Sequence, residues 1–209
     1  MKNSYLSIKK DATCEIIIEK SRFICTAKRV CGEEDAKNFV QEIKKRYPDA
    51  THNCYAYVAD PDGFYARFSD DGEPSGTAGL PMLDALKNNG IFCTAVVVTR
   101  YFGGVKLGTG GLVRAYQGAV VKILNDTGVA ENLLSNLVSV EISYNLYPVL
   151  LKFLDGIKHK NSNTEYLNEG VKVEFYIPTE NLNSLQIKVN DITSGKGKMQ
   201  VLQTEFAEY

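Results

Sequence analysis

The sequence predicts an α+β protein of two domains, and three observations carry that reading. Short β-branched runs and amphipathic helical stretches alternate irregularly rather than in a repeating strand–helix rhythm. The texture changes near Glu131, after which a clean period-two strand opens a second series of elements. The 209 residues hold enough apolar content for two cores. The boundaries follow as 1–132 and 133–209.

Thr13–Glu19 and Arg22–Val30 read as a hairpin closed around Lys20-Ser21. Glu33–Tyr47 carries Ala36, Phe39, Val40, Ile43 and Tyr47 at helical spacing, and Pro48 stops it. His52–Ala59 is the next strand, and Pro61-Asp62-Gly63 turns it into a short partner, Phe64–Phe68. Pro81 suits the first turn of a helix that Gly90 ends. Ile91–Tyr101 is the most apolar strand, which predicts a central place. Leu112, Tyr116, Ala119, Val120, Ile123 and Leu124 then form one helical face, with Thr109 as the expected N-cap.

In the second domain Val138, Val140, Ile142 and Tyr144 alternate with Ser139, Glu141 and Ser143 as a half-buried strand. Tyr147–Ile157 looks helical, and Asn168-Glu169-Gly170 joins two strands, Thr164–Leu167 and Val171–Ile177. A helix through Leu182, Leu185, Val189 and Ile192 and a strand over Met199–Phe206 complete a ferredoxin-like order. His159, between Lys158 and Lys160, is expected in solvent.

The charge balance, 24 basic against 25 acidic residues, supplies no global field toward nucleic acid or membrane. Any polyanion contact must come from a local patch. No apolar leader or membrane span is evident, so a cytoplasmic protein is expected. The five cysteines form no C-x-x-C pair and read as reduced thiols, mostly buried.

One local patch stands out. Between Val96 and Gly118 lie Arg100, Lys106 and Arg114 and no carboxylate. Gly103, Gly104, Gly108, Gly110 and Gly111 surround Lys106 and Thr109 and lead into a helix. Glycines let backbone N–H groups approach a ligand, and a helix N-terminus favours anions, so the patch predicts a phosphate site. It fits neither the Walker nor the dinucleotide spacing, and a tight strand-to-helix turn explains the glycines equally well.

A second run, Arg67 to Thr77, holds Ser69, Asp70, Asp71, Glu73 and Ser75. Its three carboxylates form either a solvated turn that caps backbone groups or a wall facing the basic loop. Mg²⁺ is conceivable there only together with a phosphate ligand, and no other cofactor is expected. On His52–Val58, Asn53, Tyr55 and Tyr57 share one face, where open aromatics would stack bases; packing against the second domain is the alternative. A His52–Cys54 nucleophile pair is conceivable, though residues two apart on a strand are widely spread, and a core cysteine is the plainer reading.

The segments Arg67–Gly79 and Val98–Tyr116 resemble the signature of the IMPACT/YigZ family. Lys20-Ser21-Arg22-Phe23 and His52–Tyr57 match its earlier blocks. The resemblance covers about residues 4–129 as the signature domain, and the remainder resembles the C-terminal domain of bacterial two-domain members. The RWD domain of eukaryotic members is not expected here. The resemblance implies a first domain like the second domain of a small-subunit ribosomal protein and a second like the last domain of elongation factor G. It also implies a translation-linked role, because eukaryotic members compete for an activator of the general-control kinase.

The residues and the resemblance together predict a binding protein with RNA or a ribosomal surface as partner. The candidate contacts are Arg67, Ser69, Asp70, Asp71, Glu73, Ser75, Thr77, Arg100, Tyr101, Gly103, Gly104, Lys106, Gly108, Thr109, Gly110, Gly111 and Arg114. The alternative is a metal-assisted hydrolase or transferase acting on an anionic small molecule, with no catalytic residue assigned. Regulation through a protein partner is a third reading.

Overall fold

The computed structural model describes residues 2–209 and divides the chain into two compact units, Met1–Glu131 and Asn132–Tyr209. The first unit contains β1 (Ser4–Ile8), β2 (Ala12–Ile18), β3 (Ser21–Arg29), α1 (Glu33–Arg46), β4 (His52–Val58), β5 (Ala66–Ser69), α2 (Gly79–Asn88), β6 (Thr94–Tyr101) and α3 (Gly108–Thr127). Its antiparallel sheet has the order β2-β3-β6-β4-β5, so the most apolar strand is central. Alternation divides that sheet's side chains between two cores. Cys54, Ala56, Val58, Val96 and Val98 face α2 and α3, while Tyr57, Ala95 and Val97 face α1.

Helix α1 buries Ala36, Phe39, Val40 and Ile43 on the sheet. Glu33, Glu34 and Asp35 occupy its first turn and Lys44, Lys45 and Arg46 its last, both complementary to the helix dipole. The face bearing Tyr55 and Tyr57 therefore lies under α1 instead of open to a ligand. Tyr57 retains 2% of its exposure, and the two rings stack on each other with centroids 6.0 Å apart. This corrects the expectation of an open aromatic platform on β4.

The β2–β3 turn is Glu19-Lys20, one residue earlier than the sequence suggests. Both residues are left-handed, at φ 45° and 65°, as a two-residue turn matched to strand twist requires. Ser21 consequently begins β3 and points inward, fully buried. Strand β1 escaped the sequence reading. It is fastened by Lys9 N–H donating to Gly128 O (3.0 Å) and Phe92 N–H donating to Leu6 O (2.8 Å).

In the second unit β7 (Val129–Ile142), which begins at the end of the first, is followed by α4 (Tyr147–Leu154), β8 (Lys160–Tyr166), β9 (Val171–Pro178), α5 (Leu182–Thr193) and β10 (Lys198–Glu208). The strands β10-β7-β9-β8 lie side by side, all antiparallel. Val138, Val140 and Ile142 with Val171, Val173, Phe175 and Ile177 supply the face on which α4 and α5 pack. His159 is half-buried, not solvent-borne, with its ring edge-on to Phe175 at 6.4 Å between centroids. No helix among the described residues is long and apolar enough to cross a membrane.

Candidate functional site

Arg100 shares the face of Val96 and Val98, so period-two alternation drives a guanidinium into the α2/α3 side of the sheet. Its residue exposure is 5%, and a buried cation requires an anion. Glu73 supplies it: Arg100 Nη1 donates to Glu73 Oε1 at 2.6 Å, and the Tyr116 hydroxyl from α3 donates to the same oxygen at 2.8 Å. Arg100 Nη2 donates to Ser21 Oγ at 3.3 Å, and that oxygen also accepts Gly103 N–H at 3.2 Å. One carboxylate thus ties the acidic loop to β6 and α3, and one hydroxyl ties the β2–β3 turn to the glycine loop.

Cys54 extends the network, its Sγ donating to Asp70 O at 2.9 Å and contacting Tyr116 Oη at 3.4 Å. Burial pushes the Cys54 thiol well above its ordinary range, and burial, Cys54 and Glu73 do the same to the Tyr116 phenol. Both stay protonated. His52 Nδ1 pairs with the backbone oxygen of Asp71 at 2.8 Å. Cys54 is therefore a core thiol, and the conceivable Cys–His nucleophile does not form.

The other two carboxylates brace the acidic loop. Asp70 accepts N–H groups of Gly76 (2.9 Å), Ala78 (3.0 Å) and Gly79 (2.8 Å), which caps the start of α2 from a distance. Burial raises the Asp70 carboxyl, but the N–H groups of Gly76, Gly79 and Ala78 outweigh it and hold the carboxyl below the usual aspartate range. Asp70→Ala is accordingly expected to cost about 0.5–2 kcal/mol at neutral pH, the range for losing a helix cap. A lowered folded value adds stability above the ordinary aspartate value of about 3.9, and that stability disappears as pH falls through the folded value. Urea unfolding at pH 7 and pH 3 should show the gap between wild type and variant narrowing in acid; an equal gap would sink the assignment.

Asp71, at φ 47°, accepts Asn53 N–H at 2.7 Å and Lys44 Nζ at 2.6 Å. Ser69 Oγ accepts Asp71 N–H at 3.1 Å, and Thr77 Oγ1 donates to Pro74 O at 2.7 Å. Ser75 is exposed. Among the described residues no three His, Cys, Asp or Glu side chains converge to hold a metal ion.

The basic side is built differently. Helix α3 begins at Gly108 with Leu107 at its N-cap and no side-chain cap, so Thr109 lies inside the first turn instead of capping it. That turn contains no acid. Lys106, Gly108, Thr109, Gly110 and Arg114 are exposed, and Gly111 is half-buried. Arg114 Nη1 lies 3.6 Å from where a Cβ on Gly110 would stand, so the guanidinium lies along the uncapped turn. Neither Lys106 nor Arg114 has an ion-pair partner among the described residues.

The predicted residues thus fall into four groups, of which Ser69, Asp70, Asp71, Ser75 and Thr77 stay in the acidic loop, where Asp70 and Asp71 brace it. Glu73 and Arg100 meet inside the protein, joined by Tyr116 and Ser21, which the sequence reading did not include among site residues. Lys106, Thr109, Arg114, Gly104, Gly108 and Gly110 form an exposed rim, whereas Gly111 is half-buried and Gly103 packs on the Lys20–Ser21 backbone. Arg67 and Tyr101 belong to the other face of the sheet: Arg67 stands opposite Tyr57 and 3.9 Å from Glu33, and Tyr101 donates to Asp49 Oδ1 at 3.0 Å.

Together these features define an α+β protein whose first unit ties its acidic loop to β6 and α3, the two elements that flank the basic glycine loop, through a buried ion pair. Residues 19–124 match the model of the Impact N-terminal domain. The chain is 39% identical over 214 aligned positions to the IMPACT family member YvyE of Bacillus subtilis, covering 100% of this chain and 95% of that protein. It is 36% identical to the IMPACT family member YigZ of Escherichia coli, covering 90% and 92% of the two chains. A crystal structure of a hypothetical protein, 33% identical, matches with a TM-score of 0.63 over 97% of this chain and 99% of that one. The chain belongs to the IMPACT family.

Proposed function

We propose that the rim formed by Lys106, Arg114 and the first turn of α3 binds the phosphate backbone of RNA, free or on the ribosome, in a translation-linked role. The observation that carries this reading is the pair of exposed cations with no ion-pair partner among the described residues, beside an uncapped helix start that lacks an acid. Backbone N–H groups at Gly108–Gly111 add uncharged donors of the kind that phosphate oxygens accept. Asp70, Asp71 and Glu73 are each engaged by protein donors. That engagement favours a structural wall over a metal-assisted enzyme. Exposure of the whole rim suits a polymer backbone better than an enclosed small molecule.

The test is the double variant Lys106→Ala/Arg114→Ala, measured against a short single-stranded RNA across a salt series. Losing two phosphate contacts should weaken binding and flatten the slope of log affinity against log salt by about 1.4, at roughly 0.7 per contact. An unchanged affinity and slope would sink the proposal. Exposed side chains should leave the unfolding midpoint where it is, which separates lost contact from lost fold.

A further inference from the structure

We propose that Phe102 is a stacking platform for one unpaired nucleobase of the same polymer, so that the face grips single-stranded RNA by a base as well as by phosphates. The inference rests on the phosphate-rim reading above and adds a recognition element to it. Phe102 is 47% exposed, although it directly follows β6, which is buried as far as Arg100. Its backbone is held on both sides: Phe102 N–H donates to Thr51 Oγ1 at 3.1 Å, and Gly103 N–H donates to Ser21 Oγ. The Arg100 guanidinium carbon lies over the ring, 5.5 Å from its centroid. One ring face is therefore backed by a fixed cation, while about half of the residue, 47%, stays open to solvent. Arg100 is itself clamped by Glu73, so the cation behind the ring is in place before any ligand arrives.

The surroundings select the partner. Lys20 stands exposed at the turn that packs on Gly103, and Lys106 lies in the same loop as Phe102. An anchored aromatic among exposed cations has the two elements that single-strand binding uses, a stacking surface and a positive track for the backbone. A base paired in a duplex presents no free ring face, so the platform takes loops, bulges or ends.

The protein contains no tryptophan, so Phe102→Trp introduces a single indole at the platform, excited selectively over the tyrosines. Two probes are titrated: a short unstructured RNA and inorganic polyphosphate, which carries the charge without bases. RNA should quench the introduced indole, whereas polyphosphate should bind with little quenching. In parallel, Phe102→Leu should weaken RNA about five- to hundred-fold, the range for one lost stacked base. Its polyphosphate affinity and salt slope should stay at wild-type values. Binding of both probes without quenching, or equal affinities of wild type and Phe102→Leu for RNA, overturns the platform and leaves the phosphate rim standing. Failure of the wild type to bind either probe overturns both.

Discussion

Glu73→Ala is expected to destabilise the first unit by about 3–5 kcal/mol, because it strands the Arg100 guanidinium in the core. Arginine stays protonated at every accessible pH, so this charge has no neutral form to retreat to. Side-chain exposure of the pair is only 6% for Arg100 and 3% for Glu73, so solvent cannot substitute for the lost carboxylate. The Tyr116 hydroxyl loses its acceptor in the same step. A fall in melting temperature of roughly 10 °C or more follows from that range. Glu73→Gln keeps one acceptor oxygen and the side-chain shape, so its loss should be smaller. Removing both charges, as Glu73→Leu with Arg100→Met, should recover much of the stability, since apolar replacement of a buried pair is often close to neutral. A Glu73→Ala loss below about 1 kcal/mol, of the kind exposed pairs give, would show the pair to be solvated.

The same pair marks where sequence reasoning stops. Alternation along β6 was legible, and it puts Arg100 with Val96 and Val98 on the core face. Taken strictly, that pattern already demands a buried acid. The sequence reading instead placed Arg100 with Lys106 and Arg114 as ligand cations, because the three are neighbours along the chain. Which carboxylate of Asp70, Asp71 and Glu73 turns inward depends on the left-handed Asp71 and Gly72, at φ 47° and 94°; an Asp-Gly pair signals the turn but not which side chain it carries inward. The helix start was illegible for a related reason. Gly108, Gly110 and Gly111 carry no side-chain periodicity, so the apolar stripe beginning at Leu112 led to Thr109 as the cap. Strand β1 was missed because five residues held by distant partners at Ile91 and Gly128 have too little local pattern to register. The apolar stripes of α1, α3 and β9 were long enough to place those elements closely.

Gly103→Ala should be the most damaging of the glycine substitutions in the loop, and the comparison separates glycines that serve the fold from those left for a ligand. A Cβ at position 103 would run into the backbone carbonyl of Lys20 and the nitrogen of Ser21, and backbone cannot rotate aside. Relief requires moving the Glu19-Lys20 turn, which carries Ser21 Oγ away from both Gly103 N–H and Arg100. Overpacking of this kind costs about 1–3 kcal/mol, and the broken hydrogen bonds add about 1 kcal/mol each. Gly104→Ala meets nothing within 4 Å but stands at φ 85°, so only the left-handed penalty of roughly 1–2 kcal/mol applies. Gly110→Ala finds only Arg114 Nη1 at 3.6 Å, an ordinary contact, and gains helix propensity, so stability should hold or rise. Denaturant unfolding of the three variants tests that ranking, and a Gly103→Ala protein as stable as wild type would show that the turn does not press on the loop. RNA affinity should follow a different order. Gly110→Ala places a methyl on the exposed first turn of α3 and should weaken binding without weakening the fold, while Gly104→Ala should act mainly through stability.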